Sequence, residues 1–317
     1  MHEVLKKVEQ FGVVPVIKIE DANDAVPLAK ALCEGGLPCA EVTFRTEAAE
    51  AAIQAMREAY PDMLLIAGTV LTKEQAAGAQ AVVSPGFNRK VVDYCVRKGI
   101  LILPGCSCPS DMEQAIEAGL SAVKFFPAEA SGGIKAIQAM AAPYGQLRFM
   151  PTGGVNAVNM QEYLKNDKVL ACGGSWMVPE KLIQEGRFEE IRQLTKEAVL
   201  AVHGFALAHV GINSADEEEA RKTAQTFERL FGFESHENPS SIFSASYVET
   251  IKKPYLGAKG HIAIAVHSVE RAKAYLERMG TEFLEDSAVY RPDGRIQAVY
   301  LKEEIGGFAV HLVRRAV

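Results

Sequence analysis

The sequence has no surplus of basic charge, no CxxC cysteine pair and no apolar run long enough to cross a bilayer. Lys plus Arg number 34 against 40 Asp plus Glu, a net charge of −6, so the chain lacks the electrostatic footprint of a nucleic-acid or membrane-surface binder. Its six cysteines (Cys33, Cys39, Cys95, Cys106, Cys108, Cys172) lack the spacing of a zinc ribbon or a redox dithiol, and are expected to be reduced and mostly buried. Cys106-Ser107-Cys108 is the one odd spacing, with too few partners for a four-thiolate site. The opening MHEVLKKVEQFGVVPVIK turns polar too soon for a signal-peptide core, so a cytoplasmic protein is expected.

What is present is ordinary globular composition. Apolar residues make up 48% and charged residues 23%, with 26 Gly and 14 Pro, which excludes disordered and collagen-like chains. A length of 317 residues suits two folded units. From residue 13 to about 173 one pattern repeats: a short β-branched apolar run, then Gly or Pro, then an Ala-rich helical segment. The predicted strands are Val13–Lys18, Cys39–Phe44, Met63–Ala67, Ala81–Ser84, Ile100–Leu103, Ser121–Phe125, Leu147–Met150 and Val169–Cys172. Eight near-continuous apolar strands alternating with helices predict an α/β fold, a (β/α)8 TIM barrel, with an open doubly wound sheet as the alternative. A helix over Pro179–Val202 with Gly204 as its cap would close this domain, 1–204.

Residues 205–317 carry a weak internal duplication. Phe205–Asn213 leads into a helix ending FERLFGF, and Gly260–Val266 into a helix ending YLERMG, each followed by alternating, strand-like runs. Two βαβββ modules in an α+β domain are expected. Ala220, Ala224, Phe227 and Leu230, and Val269, Ala272, Leu276 and Met279, fall at helical spacing and are expected to face the core.

In a barrel the chemistry sits at the C-terminal ends of the strands. Lys124 lies in an otherwise apolar strand, SAVKFFPAE; one reading is a lysine reaching out to water, but a central barrel strand has no edge. Pointing inward, its amine would be stripped of water, favouring the free base that attacks a carbonyl. In CAEVTFRT, alternation puts Glu41, Thr43 and Arg45 on one face. That face either closes on itself as a buried Glu41–Arg45 pair or serves a ligand, with Glu41 moving protons and Arg45 holding a carboxylate through paired hydrogen bonds. Two glycine turns, Thr152-Gly153-Gly154 and Gly173-Gly174-Ser175, follow the last two strands, the usual phosphate position of such barrels.

Taken together, GGLPCAEVTFRT, IAGTVLT, VVSPG, ILPGCSCPS, VKFFPAEASGG, RFMPTGGV and CGGSWMVP resemble the 2-keto-3-deoxy-6-phosphogluconate / 4-hydroxy-2-oxoglutarate (KDPG/KHG) aldolases, class I enzymes of (β/α)8 fold, over roughly residues 8–200. The resemblance implies that Lys124 forms a Schiff base and Glu41 is the acid/base. It further implies that Arg45 and Thr69 hold a pyruvyl carboxylate, that Pro85 and Phe126 line the pocket, and that Thr152, Gly153, Gly154 and Ser175 surround the distal end, with Gly174 in the same turn. It implies a keto-acid substrate, no cofactor for this step and a homotrimer. Cys106-Ser107-Cys108 stands where the family often has VST or IST, a change in the wall of the pocket.

The openings HVGIN and GHIAIAV, with Glu249 in YVETIKKP, resemble the vicinal-oxygen-chelate (glyoxalase/dioxygenase) superfamily over 205–315. This implies a metal on His209, Glu249, His261 and His311, although a glutamate is usual where His311 stands. Three imidazoles and a carboxylate suit Zn, Ni, Mn or Fe; a noncatalytic domain with hydrogen-bonded histidines is the other reading. His2, His203, His236 and His267 are expected at the surface or as caps, and Ser240, Ser241 and Tyr247 as ordinary loop and strand residues. The leading expectation is a Schiff-base aldolase with an appended domain. The alternatives are a keto-acid sensor that has kept only the site, and a bifunctional protein whose second domain is a metal-dependent lyase, isomerase or dioxygenase.

Overall fold

A computed structural model describes residues 3–315, and the chain divides into two units between Val202 and His203. The first unit carries β1 (Val13–Ile17), β2 (Cys39–Thr43), β3 (Leu64–Gly68), β4 (Ala81–Val83), β5 (Leu101–Leu103), β6 (Gly105–Cys106), β7 (Ala122–Phe125), β8 (Arg148–Pro151) and β9 (Cys172–Gly174). They run parallel in the orders β5-β4-β3-β2-β1-β9 and β6-β7-β8, with helices in most connections. A bridge between Thr152 and Gly173 joins the ends of β8 and β9. The result is a TIM-barrel-like α/β fold. Every residue of β1, β2, β3 and β7 is buried, which is why β1 and β3 read as unbroken apolar runs and why Glu41, Thr43 and Lys124 stand out in β2 and β7.

Two local expectations are corrected, and one strand that the sequence does not predict is added. The last strand starts at Cys172, and Val169 makes only an isolated bridge to Phe149. Pro104 has no N–H to give a ladder, so β5 and β6 are separate strands, and its carbonyl accepts from the Lys124 N–H at 3.0 Å. The closing helix is two helices, Glu180–Gln184 and Phe188–His203, with Gly186 between them at φ +67°.

The second unit is mostly sheet. β10 (Ala206–Asn213) leads into a helix (Glu217–Phe231), then β11 (Ser235–Glu237), β12 (Ser241–Ser244) and β13 (Val248–Ile251). β14 (His261–Val266) leads into a helix (Val269–Arg278), then β15 (Phe283–Tyr290), β16 (Ile296–Leu301) and β17 (Ala309–Arg314). All eight strands form one sheet in the order β11-β12-β13-β10-β14-β17-β16-β15. Each helix starts on a side-chain cap: Asp216 accepts from the Glu219 N–H and Ser268 from the Arg271 N–H.

Val269 and Ala272 pack with Val266, Phe283, Val299 and Leu312, while Ala220 and Ala224 pack on Ile242. Leu230 (57% exposed) and Met279 (66%) do not join these cores. The apolar periodicity continues to the end of each helix, whereas burial stops a turn earlier. His203 also departs from expectation: it is 2% exposed, against Phe205 at 5.3 Å and Tyr275 at 4.6 Å between ring centres. Burial, aided by the charges of Arg278, Arg271 and His267, pushes its imidazole down to about 3, so it is neutral in the fold. His236 is exposed, His267 is half-buried and His2 lies outside the described residues. Among the described residues no helix is long and apolar enough to cross a membrane.

Candidate active site and metal cluster

Lys124 on β7 and Glu41 on β2 belong to strands that are not neighbours in either sheet, so a contact between them crosses the barrel interior. Lys124 Nζ donates to Glu41 Oε1 at 3.0 Å, with Lys124 5% exposed and Glu41 0%. The amine therefore points inward and away from bulk water. It lies 5.3 Å from the centre of the Phe126 ring. Glu41 Oε2 is buried and accepts no hydrogen bond from the described residues, leaving one carboxylate oxygen available to a reacting group. The room for this carboxylate comes from Gly68 at the end of β3, where a Cβ would lie 2.6 Å from Glu41 Cγ.

Glu41 does not pair with Arg45. The Arg45 Nε donates to Thr43 Oγ1 at 3.1 Å, and that hydroxyl donates to the Ile17 carbonyl at 2.7 Å, so Thr43 orients an otherwise exposed guanidinium at the rim. Thr69, one residue past β3, has φ +55°, a left-handed conformation rare for a β-branched residue and one that turns the chain sharply at the strand end. Pro85 follows β4 by two residues and Phe126 follows β7 directly. Arg45, Thr69, Pro85 and Phe126 thus sit at strand ends on the same side of the barrel as Thr152–Gly154 after β8 and Ser175 after β9.

Gly153 and Gly154 have φ +97° and +82°, so this turn needs residues without a Cβ. Thr152 Oγ1 is buried with no partner among the described residues, and Gly173 makes room for it, since a Cβ there would lie 2.4 Å away. A Cβ at Gly174 would strike the Trp176 ring at 1.8 Å. Two residues that the sequence alone does not single out flank the turn. The Tyr163 hydroxyl donates to Glu129 Oε1, and burial together with that carboxylate pushes the phenol well above its ordinary range, keeping it a donor. Only the acidic residue in FFPAE was a signal, and a weak one. The wall residue Cys106 is buried, and burial raises its thiol to about 12; Cys108 is exposed at the start of the helix Pro109–Glu117.

In the second unit, β13, β10, β14 and β17 are consecutive, and they bring Glu249, His209, His261 and His311 onto one face. Gly211 pairs with both Glu249 and His261, and Ala263 pairs with both His209 and His311. Ligand atoms of the three histidines lie within 4.8 Å of one another. Glu249 Oε2 is 3.2 Å from His209 Nε2 and 3.1 Å from His261 Nε2. Both ring nitrogens of His311 and Nδ1 of His261 are buried and find no hydrogen-bond partner among the described residues. Burial and the neighbouring histidines push His311 down to about 3, so it offers a neutral ring with a free lone pair. Burial alone would raise Glu249, but hydrogen bonds from His209, His261 and Ser241 outweigh it and hold the carboxyl well below the usual carboxylate range. Ser241 is therefore more than a strand residue: its hydroxyl donates to Glu249 Oε1 at 2.6 Å. Tyr300 on β16 stacks on His311 at 4.6 Å between ring centres.

The KDPG and KHG aldolase family model matches residues 3–194. A 2-dehydro-3-deoxy-phosphogluconate aldolase of Treponema pallidum is 49% identical over 207 residues, covering 64% of this chain and 99% of that protein. The KHG/KDPG aldolase of Escherichia coli is 44% identical over 192 residues, covering 59% and 90%. Among solved structures, the KDPG aldolase of Legionella pneumophila, with pyruvate captured as a covalent carbinolamine, is 38% identical with a TM-score of 0.59, covering 61% of this chain and 97% of that one.

Proposed function

The chain belongs to the KDPG and KHG aldolase family through residues 3–194, and on that footing we propose how its own side chains perform the reaction. It is a class I aldolase, a carbon–carbon lyase that cleaves 2-keto-3-deoxy-6-phosphogluconate to pyruvate and glyceraldehyde 3-phosphate, or 4-hydroxy-2-oxoglutarate to pyruvate and glyoxylate. The observation that carries the roles is the contact of Lys124 with Glu41 inside the barrel.

Glu41 takes one proton from the Lys124 ammonium and leaves the nitrogen lone pair free to add to the C2 ketone. The added nitrogen gives a second proton to the new alkoxide, the same carboxyl returns the first to the resulting hydroxyl, water leaves, and a protonated imine remains. That imine draws in the electrons of the C3–C4 bond as Glu41 takes the C4 hydroxyl proton. The aldehyde departs, pyruvate is held as the enamine, C3 is protonated, and water hydrolyses the imine to restore Lys124. Arg45, braced by Thr43, and Thr69 hold the pyruvyl carboxylate; Pro85 and Phe126 wall the pocket; Thr152, Gly153, Gly154, Gly174 and Ser175 receive the distal end. Borohydride in the presence of pyruvate is expected to leave a covalent adduct on Lys124 that is absent in Lys124→Ala. Glu41→Gln should form it more slowly, because Glu41 also serves the addition step, and turnover should fall about 10²–10⁴-fold. Ligand binding without any adduct would mark a sensor instead.

For the second unit we propose two βαβββ modules, a reading supported by the order strand, helix and three strands in each half, and a divalent metal held by His209, Glu249, His261 and His311. The orphaned, buried imidazole nitrogens support it, because unpaired polar atoms in the interior are costly unless something binds them. Zn, Ni, Mn or Fe suits this donor set, and such an ion supplies Lewis acidity to a bound oxygen. Ser241 fixes the Glu249 carboxylate, as outer partners of metal ligands do. Elemental analysis of the full chain after dialysis against each ion tests this; equal metal content in wild type and His311→Ala would refute it. A homotrimer in the cytoplasm completes the proposal, with sedimentation as the check on assembly.

A further inference from the structure

We propose that Glu129, anchored by Tyr163, is a positioning residue that shapes the Thr152–Gly154 turn and thereby sets how strongly a phosphorylated substrate is preferred over the shorter keto acid. The inference rests on the reading above that this turn receives the distal end of the substrate.

Glu129 lies four residues past β7, beyond the residues assigned to the chemistry. Its backbone N–H donates to the Gly153 carbonyl at 3.0 Å, and the neighbouring Ala128 N–H donates to the Thr152 carbonyl at 2.8 Å. Two bonds thus lash the turn to this segment. The side chain then occupies the place a residue at 154 would need: a Cβ on Gly154 would lie 2.5 Å from Glu129 Cγ and 2.7 Å from Glu129 Cβ. On the other side, a Cβ on Gly153 would lie 3.3 Å from Phe126 Cε2 and 3.2 Å from Pro127 Cα. The turn is held between the pocket wall and the Glu129 methylenes.

The carboxylate would be a hazard beside a phosphate, because like charges at short range repel strongly where water is scarce. Tyr163 deals with this. It is buried on the helix Met160–Leu164, and its hydroxyl donates to Glu129 Oε1, tying the charged end to a fixed donor. Gly133 leaves room at that junction, since a Cβ there would lie 3.3 Å from the Tyr163 hydroxyl and 3.4 Å from Glu129 Oε1. The anchor is a hydrogen bond that a neutral amide oxygen also accepts, though less strongly, so shape at 129 matters more than charge.

The test is steady-state kinetics of the full chain on 2-keto-3-deoxy-6-phosphogluconate and on 4-hydroxy-2-oxoglutarate. Glu129→Ala and Tyr163→Phe should raise KM for the phosphorylated substrate about tenfold with kcat held within about twofold, and alter kcat/KM for the shorter one by less than about threefold. Glu129→Gln should recover most of what Glu129→Ala loses. An equal loss on both substrates, or a glutamine no better than alanine, overturns the proposal. Thr152→Val and Ser175→Ala probe the turn independently. If they raise KM for the phosphorylated substrate while Glu129→Ala and Tyr163→Phe change nothing, this inference alone falls; if all four are silent, the reading of the turn falls with it.

Discussion

Gly68 is the residue that makes space for Glu41: any side chain on it would stand 2.6 Å from Glu41 Cγ and 2.7 Å from Oε1. Both positions are on buried, paired strands, with Glu41 opposite Ile66 in the β2–β3 ladder, so neither backbone yields easily. Gly68→Ala is expected to displace the carboxylate and cut kcat by about 10²-fold, as misplacing a reacting group by an ångström does. Borohydride trapping with pyruvate should persist, because Lys124 stays in place. An unchanged kcat, or loss of the adduct, would contradict this account.

Thr43 supports Arg45 through a single hydroxyl that donates to Ile17 and accepts from the guanidinium. Thr43→Val keeps the shape and removes both bonds. KM for keto-acid substrates should rise several-fold with kcat nearly constant, and the fold should lose about 0.5–1.5 kcal/mol with the Thr43–Ile17 hydrogen bond. Thr43→Ser should restore both; denaturant unfolding and initial-rate kinetics on the two variants are the checks.

In the second unit, Gly211 plays the part that Gly68 plays in the first. A Cβ there would lie 1.9 Å from His261 Cε1, inside the ring's own contact distance. Gly211→Ala should turn the His261 imidazole out of the cluster and lower metal content after dialysis by at least about tenfold, measured by elemental analysis, while aldolase activity is retained. Metal retained at the wild-type level would remove His261 from the ligand set.

His203 supplies a pH signature. Its imidazole is pushed from an ordinary 6.5 in the unfolded chain down to about 3 in the fold, by burial and by Arg278, Arg271 and His267. With the folded value depressed, stability is full above about pH 6.5 and falls as pH drops toward 3, since the unfolded chain binds a proton the fold refuses. The slope contributed by one such group approaches about 1.4 kcal/mol per pH unit. His203→Phe, which keeps an aromatic ring against Phe205 and Tyr275, should flatten that part of the acid limb; an unchanged limb in chemical unfolding between pH 6.5 and 4 would assign the loss elsewhere.

Much of this was legible because the informative residues break a pattern. Lys124 interrupts an apolar strand, Glu41, Thr43 and Arg45 share the wrong polarity for a buried face, and paired glycines follow the late strands. What stayed hidden depends on partners distant in sequence. Nothing in FFPAE says that Glu129 meets Tyr163, 34 residues on, and nothing near Ser241 says that its hydroxyl serves Glu249. His203 looks like an ordinary helix end until Tyr275 is folded over it. Gly211 reads as a strand glycine and Gly68 as the residue just past a strand, and only the side chains opposite reveal why no Cβ is tolerated. The strand at Cys172 was placed early because VLAC has the β-branched, apolar look of a strand, whereas the ladder itself runs through Cys-Gly-Gly against β1.

The four donors of the second unit ride on strands drawn from both of its halves: His209 and Glu249 from the earlier, His261 and His311 from the later. The halves meet along the antiparallel β10–β14 seam, where the register shifts between Leu207 and His209. Slipping that seam by one residue would turn His209, and with it Glu249 on the paired β13, to the opposite side and leave a pair where four had converged. Capture of the proposed ion would therefore double as a gauge of correct mating: a chain that has closed the seam out of step holds all four residues and would still fail to bind.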